Sequence, residues 1–189
     1  MILGLLSDSH GQHRRTARAL ELLEQLGAEA FVHCGDVGNE PVLTHFAGRR
    51  AWFVWGNTDT PDPLLERYAQ SLGLKPAVLT PLVLELAGRR LAVYHGHETE
   101  FTRLIRQAGR RDFAAFDKLT EGLGYILHGH THRATDTRVR HVRLINPGAL
   151  DRARPHTVAT LDLARDALDF WVVDEHAEPS EPPRSFQPR

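Results

Sequence analysis

A single cysteine, Cys34, excludes an internal disulfide, so burial and hydrogen bonding must hold this chain together. No apolar run approaches the roughly 20 residues that a membrane-spanning helix needs, and no membrane partner is expected. Charge of one sign is missing too: 23 Lys and Arg stand against 24 Asp and Glu, for a formal net charge of −1. A strong nucleic-acid signature is therefore absent from the bulk composition. With no secretory leader pattern and almost no cysteine, the cytoplasm is the expected compartment. No repeat and no linker divides the sequence, which is read as one domain over residues 1–174. Residues 175–189 are rich in Pro, Glu, Ser and Arg without apolar periodicity, and are expected to be a flexible tail. What the chain has in excess is histidine, twelve in all.

Ile2, Leu3, Leu5 and Leu6 form an apolar run that stops at Asp8-Ser9-His10. Such a run reads as a strand buried on both faces, and the loops beyond strands of this kind are where such sheets bind ligands. Residues 14–26 carry Ala19, Leu22, Leu23 and Leu26 at helical spacing, with Gly27 as the stop. A second strand at 30–34 ends at Gly35-Asp36, and a short helix over 40–47 has Pro41 in its first turn. A third strand at 51–55 ends at Gly56-Asn57-Thr58-Asp59. The β-α-β-α-β order predicts a parallel sheet with right-handed crossovers. Asp62-Pro63 is expected to begin another helix, to about residue 72.

From Leu82 the period changes. Residues 82–87 and 90–95 flank Gly88-Arg89, a hairpin signal, and the second of these strands ends at His95-Gly96-His97. Residues 98–123 read as helical with a break at Gly109, and a short strand at 125–127 delivers His128-Gly129-His130-Thr131-His132. Two more strand pairs are expected, 135–138 with 142–145 and 157–163 with 167–173. Asp8, His10, Asp36, Asn57, His95, His130 and His132 thus all fall at strand ends. Side by side, those ends converge. Carboxylate, amide and imidazole donors without a thiolate exceed what one tetrahedral zinc requires, and suit two transition-metal ions. Two such ions roughly 3.5–4 Å apart can generate a bridging hydroxide as nucleophile and stabilise an in-line displacement at phosphorus.

Asp8-x-His10, Gly35-Asp36, Gly56-Asn57-x-Asp59, His95-Gly96-His97 and Gly129-His130-x-His132, in this order, resemble the calcineurin-like metallophosphoesterases. The closer resemblance is to the small YfcE-type phosphodiesterase branch, which shares Asn146-Pro147-Gly148 and extends over residues 1–173. It implies an α/β fold, a four-layer αββα sandwich of two mixed sheets flanked by helices. It also implies one ion on Asp8, His10 and His132, a second on Asn57, His95 and His130, and Asp36 bridging both. Manganese is the first choice, with iron, zinc, nickel or cobalt as alternatives. The expected substrate is a small phosphodiester, ahead of a phosphomonoester. A protein-interaction scaffold like the related retromer subunit is the reading from a different class, and the oligomeric state, homo-oligomer included, stays open.

Many members of the wider family carry a His directly after the metal-binding Asn, where this chain has Thr58. General acid help of that kind is typically worth about 10²- to 10⁴-fold. His97 or a metal-bound water is expected to take over part of that role, with Asp59 orienting groups nearby, so Asp36, Asn57, Asp59 and His97 make up the expected catalytic set. The segment between His97 and His130 is longer than in compact relatives and carries Arg103, Arg106, Arg110 and Arg111. A cap over the site is conceivable, but their three- and four-residue spacing favours a solvated helix face. His33, His45, His141, His156 and His176 are read as structural or surface residues, and Cys34 as a buried apolar one.

Overall fold

A computed structural model describes residues 1–60, 63–75, 80–175 and 182–188. Strand β1 (Ile2–Leu6) alternates between two interiors: Leu3 and Leu5 point into one core and Leu6 into another. Both faces are therefore buried, which is why the run carries no polar alternation. Helix α1 (His13–Gln25) follows, burying Ala19, Leu20, Leu22 and Leu23, and leads to β2 (Ala30–His33). Helix α2 (Glu40–Thr44) is capped by the Asn39 side chain, which accepts from Val42 N at 3.3 Å. It leads to β3 (Ala51–Phe53), and β1, β2 and β3 pair in parallel. Helix α3 (Pro63–Ser71) comes next; the expected cap, Asp62, lies outside the described residues.

The hairpin of β4 (Leu82–Leu86) and β5 (Arg89–Val93) opens the second sheet. Its turn is Ala87-Gly88, one residue earlier than the expected Gly88-Arg89, and both turn residues have positive φ, 49° and 72°. That is the backbone a two-residue turn needs to match strand twist. Helices α4 (Thr99–Gly109) and α5 (Phe113–Leu119) precede β6 (Tyr125–Leu127), β7 (Ala134–Val139) and β8 (Val142–Pro147). The chain then returns to the first sheet through β9 (Thr157–Asp162), antiparallel to β1, and β10 (Ala167–Val172). Within the segment read as a tail, Ser185–Phe186 form a last strand, β11, against β10, and Phe186 packs on the core. Residues 176–181 and 189 of that segment, His176 among them, lie outside the described residues.

The first sheet has the order β11-β10-β9-β1-β2-β3 and the second β4-β5-β6-β8-β7. Their inner faces meet through Leu3, Leu5 and Val32 on one side and Leu91, Val93 and Leu127 on the other. The outer face of the first sheet is covered by α1, α2 and α3 through Leu20, Leu23, Leu43 and Ala69. The outer face of the second is covered by α4 and α5 through Phe101, Leu104 and Phe116. The result is the expected αββα sandwich of two mixed sheets. No helix of the described residues is long and apolar enough to cross a membrane.

Candidate metal centre

Because β1, β2, β3, β5 and β6 are paired or stacked, their ends bring the polar loops to one edge of the sandwich. Backbone bonds lace the loops together. Asp8 N donates to Gly35 O at 3.0 Å and His10 N to Asp36 O at 2.9 Å, joining the β1 and β2 loops. His130 N donates to Asp8 Oδ2 at 3.1 Å, and His95 Nδ1 donates to Cys34 O at 2.8 Å, tying the second sheet to the first. Asp8, His10, Asp36, His130 and His132 all have left-handed φ, between 43° and 67°. Each such residue costs on the order of 1–2 kcal/mol, and strain of this sort gathers where function requires it.

Asp8, His10, Asp36 and His132 each offer a ligand atom, and these atoms lie within 4.8 Å of one another. His10 Nε2 and His132 Nε2 face each other at 3.4 Å, His132 Nε2 lies 3.2 Å from Asp8 Oδ1, and His10 Nε2 lies 3.5 Å from Asp36 Oδ2. Only one proton fits between two such nitrogens. A cation among the four groups satisfies both lone pairs and both carboxylates, so the donor set fits a bound divalent ion. Asp36 Oδ2 also lies 3.4 Å from His95 Nε2, which is 3.0 Å from Asn57 Oδ1. Asp36 therefore stands between two groups of donors. His130 is exposed beside the second, its ring 5.1 Å from that of His95. No second cluster of His and carboxylate ligands as tight as the first occurs among the described residues.

The ring orientations have identifiable causes. His10 Nδ1 lies 3.3 Å from Thr58 Oγ1, and His95 Nδ1 is held by the Cys34 carbonyl, so both rings turn Nε2 toward Asp36. Burial raises the Asp8 carboxyl, opposed by the Ser7 hydroxyl donating at 2.5 Å and by His95. Burial pushes Asp36 the same way, but hydrogen bonds from His95 and from Thr58 N overcome it and hold the carboxyl well below the usual range. Burial lowers His10, with Asp36 offsetting part of the effect. An ionised Asp36 beside a neutral His10 is the protonation state that metal ligation needs.

Asp59 is turned away from the ligand atoms. Its carboxylate accepts from Val37 N at 3.1 Å, Gly38 N at 2.8 Å and Gly56 N at 2.8 Å, clamping the Asp36 loop to the Asn57 turn. His97 is exposed, its ring 5.4 Å from His95 and 6.3 Å from His130. Arg103, Arg106, Arg110 and Arg111 are exposed on and just after α4. Cys34 is buried, and burial pushes its thiol well up.

Several residues outside the expected ligand and catalytic sets serve the site: the sequence reading does not single out Ser7 or Glu98, names Asn146 only within the Asn146-Pro147-Gly148 motif, and takes His33 as structural or surface. Ser7 holds Asp8. Glu98 accepts from His95 N and Gly96 N, both at 2.7 Å. Asn146 donates from Nδ2 to Gly129 O at 2.7 Å and to Thr131 Oγ1 at 3.1 Å. Buried His33 accepts from Gly35 N at its Nδ1 and reaches Ser9 Oγ with Nε2 at 2.8 Å, so it braces both the β1 and β2 loops. The available signal was position: Ser7, Ser9 and Glu98 sit one to three residues from a candidate ligand, and Asn146 is the penultimate residue of a buried strand.

The family model for a calcineurin-like phosphoesterase superfamily domain matches residues 1–166. A phosphodiesterase from Methanocaldococcus jannaschii is 23% identical over 150 residues, covering 78% of this chain and 83% of that protein. Among solved structures, an archaeal phosphodiesterase is 21% identical with a TM-score of 0.75, over 91% of this chain and 99% of that one. The YfcE phosphoesterase from E. coli is 23% identical with a TM-score of 0.60, over 93% and 94% of the two chains. The solved structures share the architecture, and the family model covers most of the sequence that builds the ligand loops. The chain belongs to the calcineurin-like phosphoesterase superfamily.

Proposed function

We propose that this phosphoesterase is a phosphodiesterase that works with two divalent transition-metal ions, manganese first among them. The observation that carries the reading is the four-residue cluster around Asp36, with imidazole nitrogens aimed at a common point from both sheets. On this reading residues 1–174 act as one unit. Asp8, His10, Asp36 and His132 hold one ion; Asp36, Asn57, His95 and His130 hold the other. Ions held there would supply charge neutralisation on the phosphate and activation of a water for in-line attack. The chain's own residues supply orientation: Thr58 and the Cys34 carbonyl fix the imidazoles, Ser7 fixes Asp8, and Asp59 fixes the turn that presents Asn57.

Thr58 occupies the place where many relatives have a histidine, and its hydroxyl is committed to His10. A threonine hydroxyl does not protonate a leaving alkoxide at neutral pH. On this reading His97, exposed beside His95 and His130, takes that role, and esters with good leaving groups are turned over fastest. Metal analysis with assays on bis-p-nitrophenyl phosphate and p-nitrophenyl phosphate tests the reading. The diester is expected to be hydrolysed with metal bound, and Asp36→Asn to remove most of that activity. Turnover of the monoester alone makes the protein a phosphomonoesterase, and no metal with no turnover makes it a scaffold. A His97→Ala enzyme with an unchanged pH–rate profile removes His97 from the mechanism.

A further inference from the structure

Beyond His132 lies a cavity of about 520 Å³, a volume typical of small-molecule sites, which run to roughly 300–1,000 Å³. Its walls come from three distant stretches: Arg133 and Ala134 entering β7, Arg154 and Pro155 before β9, and Phe186 of β11. His132 belongs both to this lining and to the candidate ligand cluster, so the cavity adjoins the cluster on the His132 side. The wall is of two kinds. Ala134, Pro155 and the partly buried Phe186 ring give an apolar surface that a flat ring can cover. Arg133 and Arg154 are exposed, and among the described residues neither side chain has a hydrogen bond or ion pair. Some arginines of this chain are engaged, Arg143 with Asp136 and Asp166 and Arg15 with Glu175, whereas among the described residues Arg103, Arg106, Arg110 and Arg111 on and after α4 are as uncommitted as these two; what distinguishes Arg133 and Arg154 is that both line one cavity. Two uncommitted guanidinium groups at the mouth of a half-apolar cavity match a ligand that carries a ring and a phosphate of its own.

We propose that this cavity is the subsite for one ester substituent of the substrate, and that the substituent is a nucleotide, its base against Phe186 and its phosphate on Arg133 and Arg154. The inference rests on the phosphodiesterase reading and narrows its substrate class. It also gives β11 a task, because Phe186 reaches the site only through the pairing of that strand with β10.

The test uses the full chain with manganese and two diesters: a 5′-phosphorylated thymidine dinucleotide and bis-p-nitrophenyl phosphate. In R133A and R154A the dinucleotide KM is expected to rise at least about fivefold, while kcat/KM for the small diester stays within about twofold. F186L, which keeps apolar volume but loses the ring, is expected to raise the dinucleotide KM about threefold or more. A second readout is calorimetric titration of thymidine 5′-monophosphate into the full chain in chelator, where wild type binds and the doubly substituted R133A/R154A chain does not. No binding by wild type, equal binding by the variant, or inorganic phosphate binding as tightly as the nucleotide overturns the subsite. A working diesterase whose two substrates respond alike overturns the subsite alone. Nucleotide binding without any diester hydrolysis overturns the phosphodiesterase reading, and with it the cavity's role in substrate choice.

Discussion

A methyl group added at Gly56 would stand 2.1 Å from Asp36 Oδ1 and 2.3 Å from Asp36 N. Real atoms do not approach so closely, so Gly56→Ala must move the carboxylate that faces both donor groups. The expected outcome is a folded protein, by circular dichroism, that binds less metal and loses about 10²-fold or more in turnover. Full metal content with wild-type kcat would show that Asp36 is not where the chemistry depends on it. His33 gives a second test, on stability. Burial lowers its pKa from the ordinary 6.5 to about 3, and the Gly35 N–H pointing at its Nδ1 explains why a proton is unwelcome there. Below about pH 6.5 the unfolded chain takes a proton that the folded chain refuses, so stability is complete above that pH and falls as pH drops toward 3. In chelator, wild type should lose about 2 kcal/mol more than His33→Asn between pH 7 and pH 5, measured by urea unfolding. Parallel pH curves for the two proteins would mean that His33 does not titrate as a buried neutral group.

At the scale of elements, legibility in the sequence follows the range of the interaction. Strands β1, β2 and β3 with their helices could be read because apolar period and stop signals are local to each segment. The β4–β5 turn was read one residue late, since Ala87 adopts positive φ without being a glycine. Strand β11 was not legible: two residues in a polar, Pro-rich segment pair with β10 through contacts that no local pattern announces. The site divides the same way. Candidate ligands stood out because carboxylate and imidazole residues end buried strands, whereas Asn146 serves through Gly129, seventeen positions away along the chain. Asn146 nonetheless decides how the strand β8 end supports the His130–His132 loop. Asn146→Ala removes one of the donors to the buried Gly129 carbonyl, which Thr131 N still reaches at 2.8 Å, at a cost of about 1 kcal/mol. The loop should then hold metal about 10–100-fold more weakly. Competition with a chromophoric chelator measures this, and unchanged affinity would make Asn146 a folding residue only.

At the scale of the whole molecule, both sheets contribute to one cluster, so a bound ion links folding across the central core. Asp8, His10 and Asp36 come from the first sheet and His132 from the loop after β6 in the second, with five site residues held at left-handed φ. Without a cation these loops keep their strain and a pair of facing imidazole nitrogens; with one, the same geometry becomes a reason to stay folded. Binding to the folded chain alone stabilises it by about 4 kcal/mol at a thousandfold excess over Kd. For a chain of this size each kcal/mol moves Tm by about 2–4 °C, so saturating Mn²⁺ should raise Tm by roughly 8–16 °C. Asp36→Asn, which leaves Asp8, His10 and His132 in place but removes the shared carboxylate charge, should show less than half of that shift. Scanning calorimetry of both proteins with and without metal decides it. If neither melts higher with Mn²⁺, Zn²⁺ or Ni²⁺, the cluster is a polar seam between the sheets rather than a metal centre, and the two-ion reading falls with it.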